Sequence, residues 1–376
     1  RTILLVFPTI SLLTENYERI KSHPFFKGYS IHTLSEEKID ENVNNLFIFT
    51  PERYLSFLDS NRKIAFDFAF IDEIYKIDED ITVEGDDDSP SSIAINDNSY
   101  QNERTSNHRA CAFRLALYFL LEKSNACYIS GPFIKIDKLK SGFKNMLSRY
   151  AIGTMEAHFE PTLKNKIDFH SQTFRIQSPI ENEVIKTTEK DKFNKLRFVV
   201  NKLNITKQNS AIVYCLYPSH TEKNARKYCE KLPIDNNRLI NMFVDHISRN
   251  FNCKYGKGKN SIETWDFIYA LKRGIGIHNG KFPKYFQREI MALFNKKQMP
   301  LLFCTSTIVE GVNTNAKTVI VYHNPSGEND AGKRFLLLNI NGRAGRYLRH
   351  FVGNIVYLNR ECSKIESSDH ISLDFK

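Results

Sequence analysis

Short runs of wholly apolar residues alternate with helix-spaced segments along this chain, and no other feature restricts its fold so strongly. TILLVFP precedes TISLLTENYERI, NLFIFTP precedes ERYLSFLDS, and FAFIDE and ACYISGPF flank HRACAFRLALYFLLEKSN. A strand that is apolar at every position has both faces buried, as in a parallel sheet covered by helices on both sides. After a weaker stretch from about 136 to 173, the rhythm returns with the helix DKFNKLRFVVNKLN and the strand SAIVYCLYPS. It continues through HTEKNARKYCEKL, GIGIHNG, KYFQREIMALFNKKQ, MPLLFCTST, TVIVYHN, a helix carrying RAGR, and GNIVYLN. The expected fold is therefore α/β with two tandem parallel-sheet domains, 1–172 and 173–376. A chain of 376 residues, 41% hydrophobic, is long enough for two separate cores.

An acidic insertion over about 78–106 interrupts the first domain. Seven of the eleven residues from Asp78 to Asp88 are acidic, and Ser, Asn and Asp dominate afterwards, so a mobile surface loop is expected. It is either a solvated insertion or a decoy for a cationic groove. Elsewhere 53 Lys and Arg outweigh 43 Asp and Glu, for a net charge of +10, which favours an anionic partner without naming it. The seven cysteines form no CxxC pair, which points to reduced thiols in a cytoplasmic compartment. The longest apolar stretch, ACAFRLALYFLL, is too short for a bilayer and contains Arg114, so it reads as a core helix, and no membrane partner is expected. No secretory leader is visible, and the start at Arg1 inside a strand suggests a piece of something longer.

Three segments carry chemistry. FAFIDEIY ends an apolar strand in Asp72 and Glu73, where Asp72 could hold Mg²⁺ through water and Glu73 polarise an attacking water. The plainer reading is a helix cap with a solvated neighbour. LLFCTSTIVEGVNT places hydroxyls and amides at a strand-to-helix turn, with Thr305 and Thr307 suited to phosphate oxygens and Gly311 admitting a close backbone, unless this is a simple capping turn. In LLLNINGRAGRYLRH, a helical path would align Asn339, Arg343 and Arg346 on one face. Gly342 and Gly345 are costly in a helix interior, about 1 kcal/mol each, and approach of a polyanion would compensate. The two arginines then read as fingers on a γ-phosphate. The alternative is a surface helix fraying at its glycines.

In this order the segments resemble the superfamily-two DExH helicases, and most closely their superkiller-like branch. FPTISLLTENYERI is similar to motif Ia and TPERY to motif Ib, IDEIY to motif II, and SGP, Ser130 to Pro132, holds the place of motif III. AIVYCLYPS stands at motif IV, GIGIHNGKFPKYFQREIMALF resembles the branch's GVxxHHAG segment, TSTIVEGVNT motif V, and NINGRAGR motif VI. The resemblance spans nearly the whole chain. It implies two tandem RecA-like domains, with ATP and Mg²⁺ as cofactors and single-stranded or partly duplex DNA or RNA as partner.

By that resemblance Pro8, Thr9, Thr50, Glu52, His278, Thr305 and Thr307 contact nucleic acid. Gly311, Asn313 and Asn339 attend the nucleotide, Asn313 at its ribose, while Asp72, Glu73, Arg343 and Arg346 are catalytic and Asp72 binds the metal. The departures are Tyr75 where the family has His, SGP for SAT, Asn279 for a second His, and Asn339 for Gln. No GxxxxGK[ST] occurs, so the first domain is read as incomplete, with its phosphate loop expected upstream. The leading expectation is an ATP-dependent helicase or translocase core, weakly inclined to bacterial phage defence or repair. A catalytically impaired scaffold that holds nucleic acid or a protein partner is the alternative, and a metal-dependent phosphodiesterase a distant third.

Overall fold

The structure is a computed structural model that describes the chain apart from residues 38, 79–98, 158–161, 179–181, 252–264, 309–313, 326–329, 346–348, 361 and 363–376, and only the backbone of 99–107, 330 and 331. It divides into two compact units, the first over Arg1–Ala157 and the second from His158.

In the first unit the order is β1 (Thr2–Val6), α1 (Ile10–Ser22), β2 (Tyr29–His32), β3 (Asn44–Phe49), α2 (Pro51–Ser60), β4 (Phe68–Ile71), α3 (Ser99–Lys123), β5 (Cys127–Ile129) and α4 (Ser141–Arg149). The strands form one sheet in the order β2-β3-β1-β4-β5, parallel throughout. Leu46, Phe47, Ile48 and Phe49 of β3 are all buried, as a continuously apolar strand requires. Because β1, β3 and β4 run parallel, the turns after them gather at one sheet edge, where the segments resembling motifs Ia, Ib and II lie.

The second unit contains β6 (Leu163–Asp168), β7 (Thr173–Gln177), β8 (Asn182–Lys186), α5 (Lys192–Lys202), β9 (Ala211–Tyr214), α6 (Pro218–Cys229), α7 (Arg238–Asn250) and α8 (Asp266–Leu271). It continues with β10 (Ile275–His278), α9 (Lys284–Asn295), β11 (Leu301–Cys304), β12 (Thr318–Val321), α10 (Asp330–Gly342) and β13 (Val352–Tyr357). Its strand order is β10-β11-β9-β12-β13-β6-β7-β8. Every residue of β9 to β12 is buried.

Three expectations change. The division falls near 157, not at 172/173, because β6 pairs in parallel with β13. A row of buried side chains fixes that register: Asn165 Nδ2 donates to Asn354 Oδ1 (3.1 Å), and Asn354 Nδ2 to Thr318 Oγ1 (3.3 Å), across three paired strands. A slip would leave these buried amides without partners, so the row specifies the pairing. Secondly, the sheet is not purely parallel, since β7 and β8 extend it as an antiparallel hairpin. Thirdly, the expected loop of 78–106 already turns helical at Ser99, and the rest of that insertion beyond Asp78 lies outside the described residues.

Candidate functional site

At the carboxyl end of β4, Asp72 is held by two donors. Its Oδ1 accepts the Glu73 N–H (2.9 Å) and the Ser130 hydroxyl (2.5 Å). Ser130 reaches it because β5 lies beside β4: Ser130 N–H donates to the Ile71 carbonyl (3.0 Å), and its own carbonyl accepts from Ile74 N–H (2.9 Å). The segments resembling motifs II and III are thus bonded to each other. A Cβ on Gly131 would lie 2.7 Å from Ile74 Cγ2 and 2.8 Å from Ile134 Cδ1, so any side chain there would have to displace both isoleucines for this turn to keep its approach.

Glu73 adopts a left-handed backbone, φ 57° and ψ 47°, uncommon for a residue with a side chain and typical of positions where geometry serves a site. Asp72 and Glu73 are both half-buried. Glu73 is the cap residue of a short 3-10 turn, Ile74–Ile77, but gives it no side-chain capping bond, so the plain capping reading does not describe it. Tyr75, at the expected histidine position, is buried in that turn.

On the same sheet edge, the turns after β1 and β3 lie side by side, joined by Phe7 N–H to the Phe49 carbonyl (2.9 Å). Thr9 and Thr50 are both buried and both cap helices: Thr9 Oγ1 accepts from Leu12 N–H (3.3 Å), and Thr50 Oγ1 from Arg53 N–H (3.4 Å). Their hydroxyls therefore serve their own helices. What each position presents outward is a helix N-terminus, a ready site for an anion, and the exposed Ser11 in the first turn of α1 was not singled out from sequence. Pro8 is buried, with its carbonyl accepting from Arg109 Nη2 (3.2 Å), while Glu52 is exposed.

In the second unit, His278 ends β10 and is 1% exposed. Its Nδ1 lies 3.3 Å from Thr307 Oγ1, which lies 3.1 Å from Thr305 Oγ1, and Thr305 N–H donates to the His278 carbonyl (3.2 Å). Burial, with the Lys284 charge adding to it, pushes the His278 pKa down to about 4, so the ring is neutral at pH 7. Thr305 is buried and Thr307 half-buried, so the Thr307 hydroxyl is the more accessible of the two, with Thr305 behind it. Asn279 is fully buried as a turn hub: its Nδ2 donates to Thr221 Oγ1 (3.1 Å) and its Oδ1 accepts from Lys281 N–H (3.1 Å).

The arginine segment departs from its expected path. Helix α10 stops at Gly342 and Arg343 lies in the turn beyond it, so the helical path that would align Asn339 with Arg343 ends before the arginine. Asn339 Nδ2 donates to the Phe335 carbonyl of its own helix (3.0 Å). Gly345 has φ +68°, and a Cβ there would lie 2.9 Å from Gly353 Cα, so this glycine is required by the chain's own backbone and not by an approaching polyanion. Arg343 is half-buried, near enough to Cys304 at the end of β11 for its charge to oppose the burial that raises that thiol's pKa. Arg346, Gly311 and Asn313 lie outside the described residues.

Cys111, Cys127, Cys215, Cys229, Cys304 and Cys362 are free thiols. Among the described residues there is no cluster of three metal-ligating side chains, and no helix is long and apolar enough to cross a membrane.

Comparison with known proteins agrees with this arrangement. The helicase conserved C-terminal domain family matches residues 253–348. Anti-bacteriophage protein B of Escherichia coli (strain K12) is 28% identical over 365 residues, 95% of this chain and 41% of that protein. Hachiman protein HamB of Bacillus cereus is 34% identical over 95 residues, covering 25% of this chain and 8% of its own length. The human exosome RNA helicase MTR4 is 28% identical over 137 residues, 34% of this chain and 13% of that protein. The chain thus spans well under half the length of these relatives. The chain is thus similar to helicases: residues 253–348 match the helicase conserved C-terminal domain, and the likeness to the Escherichia coli relative runs over 95% of the chain.

Proposed function

We propose that the chain is the core of an ATP-dependent helicase or translocase of the superkiller-like branch, acting on single-stranded or partly duplex nucleic acid in defence against phage. The observation that carries this reading is the bond from Ser130 to Asp72 beside a left-handed Glu73, because it presets a carboxylate pair at the strand end where a nucleotide's phosphates are handled. Asp72 suits a magnesium ion: Oδ1 is occupied by two donors, while Oδ2 makes no hydrogen bond among the described residues and is left for a metal-bound water. When bound, magnesium would neutralise charge on the terminal phosphates.

Glu73 then orients the attacking water and takes its proton. Arg343 and Arg346 counter the charge that develops on the γ-phosphate, and Asn313 holds the ribose. Thr307, backed by Thr305 and neutral His278, receives a backbone phosphate, as do the N-termini of α1 and α2. The defence role is supported by the name of the Escherichia coli relative, an anti-bacteriophage protein.

Glu73→Gln in the full-length protein tests the reading. It should keep ATP binding but lower nucleic-acid-stimulated turnover by about 10²- to 10⁴-fold, the usual worth of a general base. Wild-type turnover in that variant would remove Glu73 from the role. A helicase-shaped scaffold is the second reading, favoured by Tyr75 buried at the family's histidine position; it predicts no stimulated turnover even in the wild type.

A further inference from the structure

The strand edge that carries His278 and Thr307 continues, one strand over, into a series of rings that the proposed function leaves unused. β9 lies beside β11, with Cys215 N–H donating to the Cys304 carbonyl (2.7 Å), and β12 lies beyond it, with Tyr322 N–H donating to the Tyr214 carbonyl (3.1 Å). Just past these strand ends, Tyr217 meets His220 edge to face, with centroids 5.3 Å apart. His220 stacks on His323 at 4.6 Å and 18°, and His323 meets Tyr322 at 4.9 Å. The Lys192 ammonium lies 5.6 Å from the Tyr322 centroid.

The inner part of this series is enclosed. Nδ1 of His220 and of His323 are both buried, without a hydrogen-bond partner among the described residues. Burial, then the neighbouring His220 and Lys192, push the His323 pKa down to about 4. A neutral His323 ring can stack face to face on its neighbour without charge repulsion. The outer end is different. Tyr217 is 56% exposed, yet its backbone is fixed: it caps α6, Pro218 follows at the first helical position, and its carbonyl accepts from Thr221 N–H (3.2 Å). An exposed ring on a fixed backbone, backed by packed rings, loses little freedom on stacking, and a base offers a π-face of any sequence.

We infer that Tyr217, backed by the His220–His323 stack, is a stacking platform for a nucleobase of the single strand whose phosphates meet Thr307. This rests on the nucleic-acid reading above and adds to it a contact that recognises bases. Neighbouring strand ends are about 4.8 Å apart, so one strand of nucleic acid can touch both places.

The test is binding of the full-length protein, followed by fluorescence anisotropy, to a labelled oligothymidine and to an abasic oligomer of the same length. Tyr217→Ala should weaken oligothymidine binding by about 5- to 150-fold, leave abasic binding unchanged, and be rescued by Tyr217→Phe. Equal oligothymidine binding by the wild type and Tyr217→Ala overturns the platform while the nucleic-acid reading stands. Equal losses on both oligomers also overturn it, since they mean a backbone effect. A wild-type protein that binds neither oligomer overturns both readings.

Discussion

At the end of β4 the carboxyl group of Asp72 is half-buried and gripped by an N–H and an O–H, whereas at the end of β10 the His278 ring is fully enclosed and kept uncharged. Both are polar groups closing a buried parallel strand. They differ in what surrounds them. Asp72 has donors from its own turn and from the turn after β5, both on one oxygen, so the other oxygen is left over. His278 has one threonine hydroxyl, that of Thr307, and a burial cost that opposes protonation, so it contributes shape and a hydrogen bond without net charge. The contrast bears on the proposed function, in which the strand ends of the first unit handle metal-bound phosphates and those of the second receive a polyanion's backbone.

The sharpest way to break the comparison is through pH. The His278 pKa is about 4 in the fold against about 6.5 in the unfolded chain, so the unfolded chain binds the extra proton between those values. Stability from this group is therefore complete above pH 6.5 and is lost as pH falls toward 4, by about 3 kcal/mol. His323 adds a similar slope, so the reading is a difference: urea midpoints of His278→Asn should fall less over this window than wild-type midpoints. Parallel curves would mean that His278 is not held neutral by burial.

A smaller effect is expected at the arginine turn. Gly345→Ala combines φ +68° with a Cβ 2.9 Å from Gly353 Cα, and should cost about 2 kcal/mol, measurable as a lower thermal midpoint. An unchanged midpoint would return Gly345 to the polyanion explanation. Smallest is Ser130→Ala, which removes one bond to Asp72 and should reduce stimulated ATP turnover by about tenfold with little change in thermal midpoint. Loss of stability without loss of turnover would make the Ser130–Asp72 bond a structural tie like the Asn165–Asn354–Thr318 row.

The strands β1, β3, β4, β5 and β9 to β13 were legible because each lies in a short, mainly apolar run. β6 to β8 were not, since LKNKID, TFRIQ and NEVIK alternate charged and apolar residues and belong to a hairpin edge with one exposed face. The order of the helicase-like segments was readable in one dimension. The bond between Asp72 and Ser130, 58 residues apart, was not, because only the pairing of β4 with β5 brings them together. Threonines at motif positions looked like ligands, but Thr9 and Thr50 spend their hydroxyls on helix caps, a use that a contact list from sequence does not distinguish. Tyr217, His220 and His323 carried no signal at all, since nothing in their spacing announces that β9 and β12 are neighbours.

The most direct measurement is ATP turnover by the full-length protein, with and without single-stranded DNA and RNA, alongside Asp72→Asn as the blank. A motor whose charged strand edge handles ATP predicts turnover that rises on adding at least one of the two nucleic acids and vanishes in Asp72→Asn. Turnover that is absent in the wild type, or that is the same in wild type and Asp72→Asn, contradicts it.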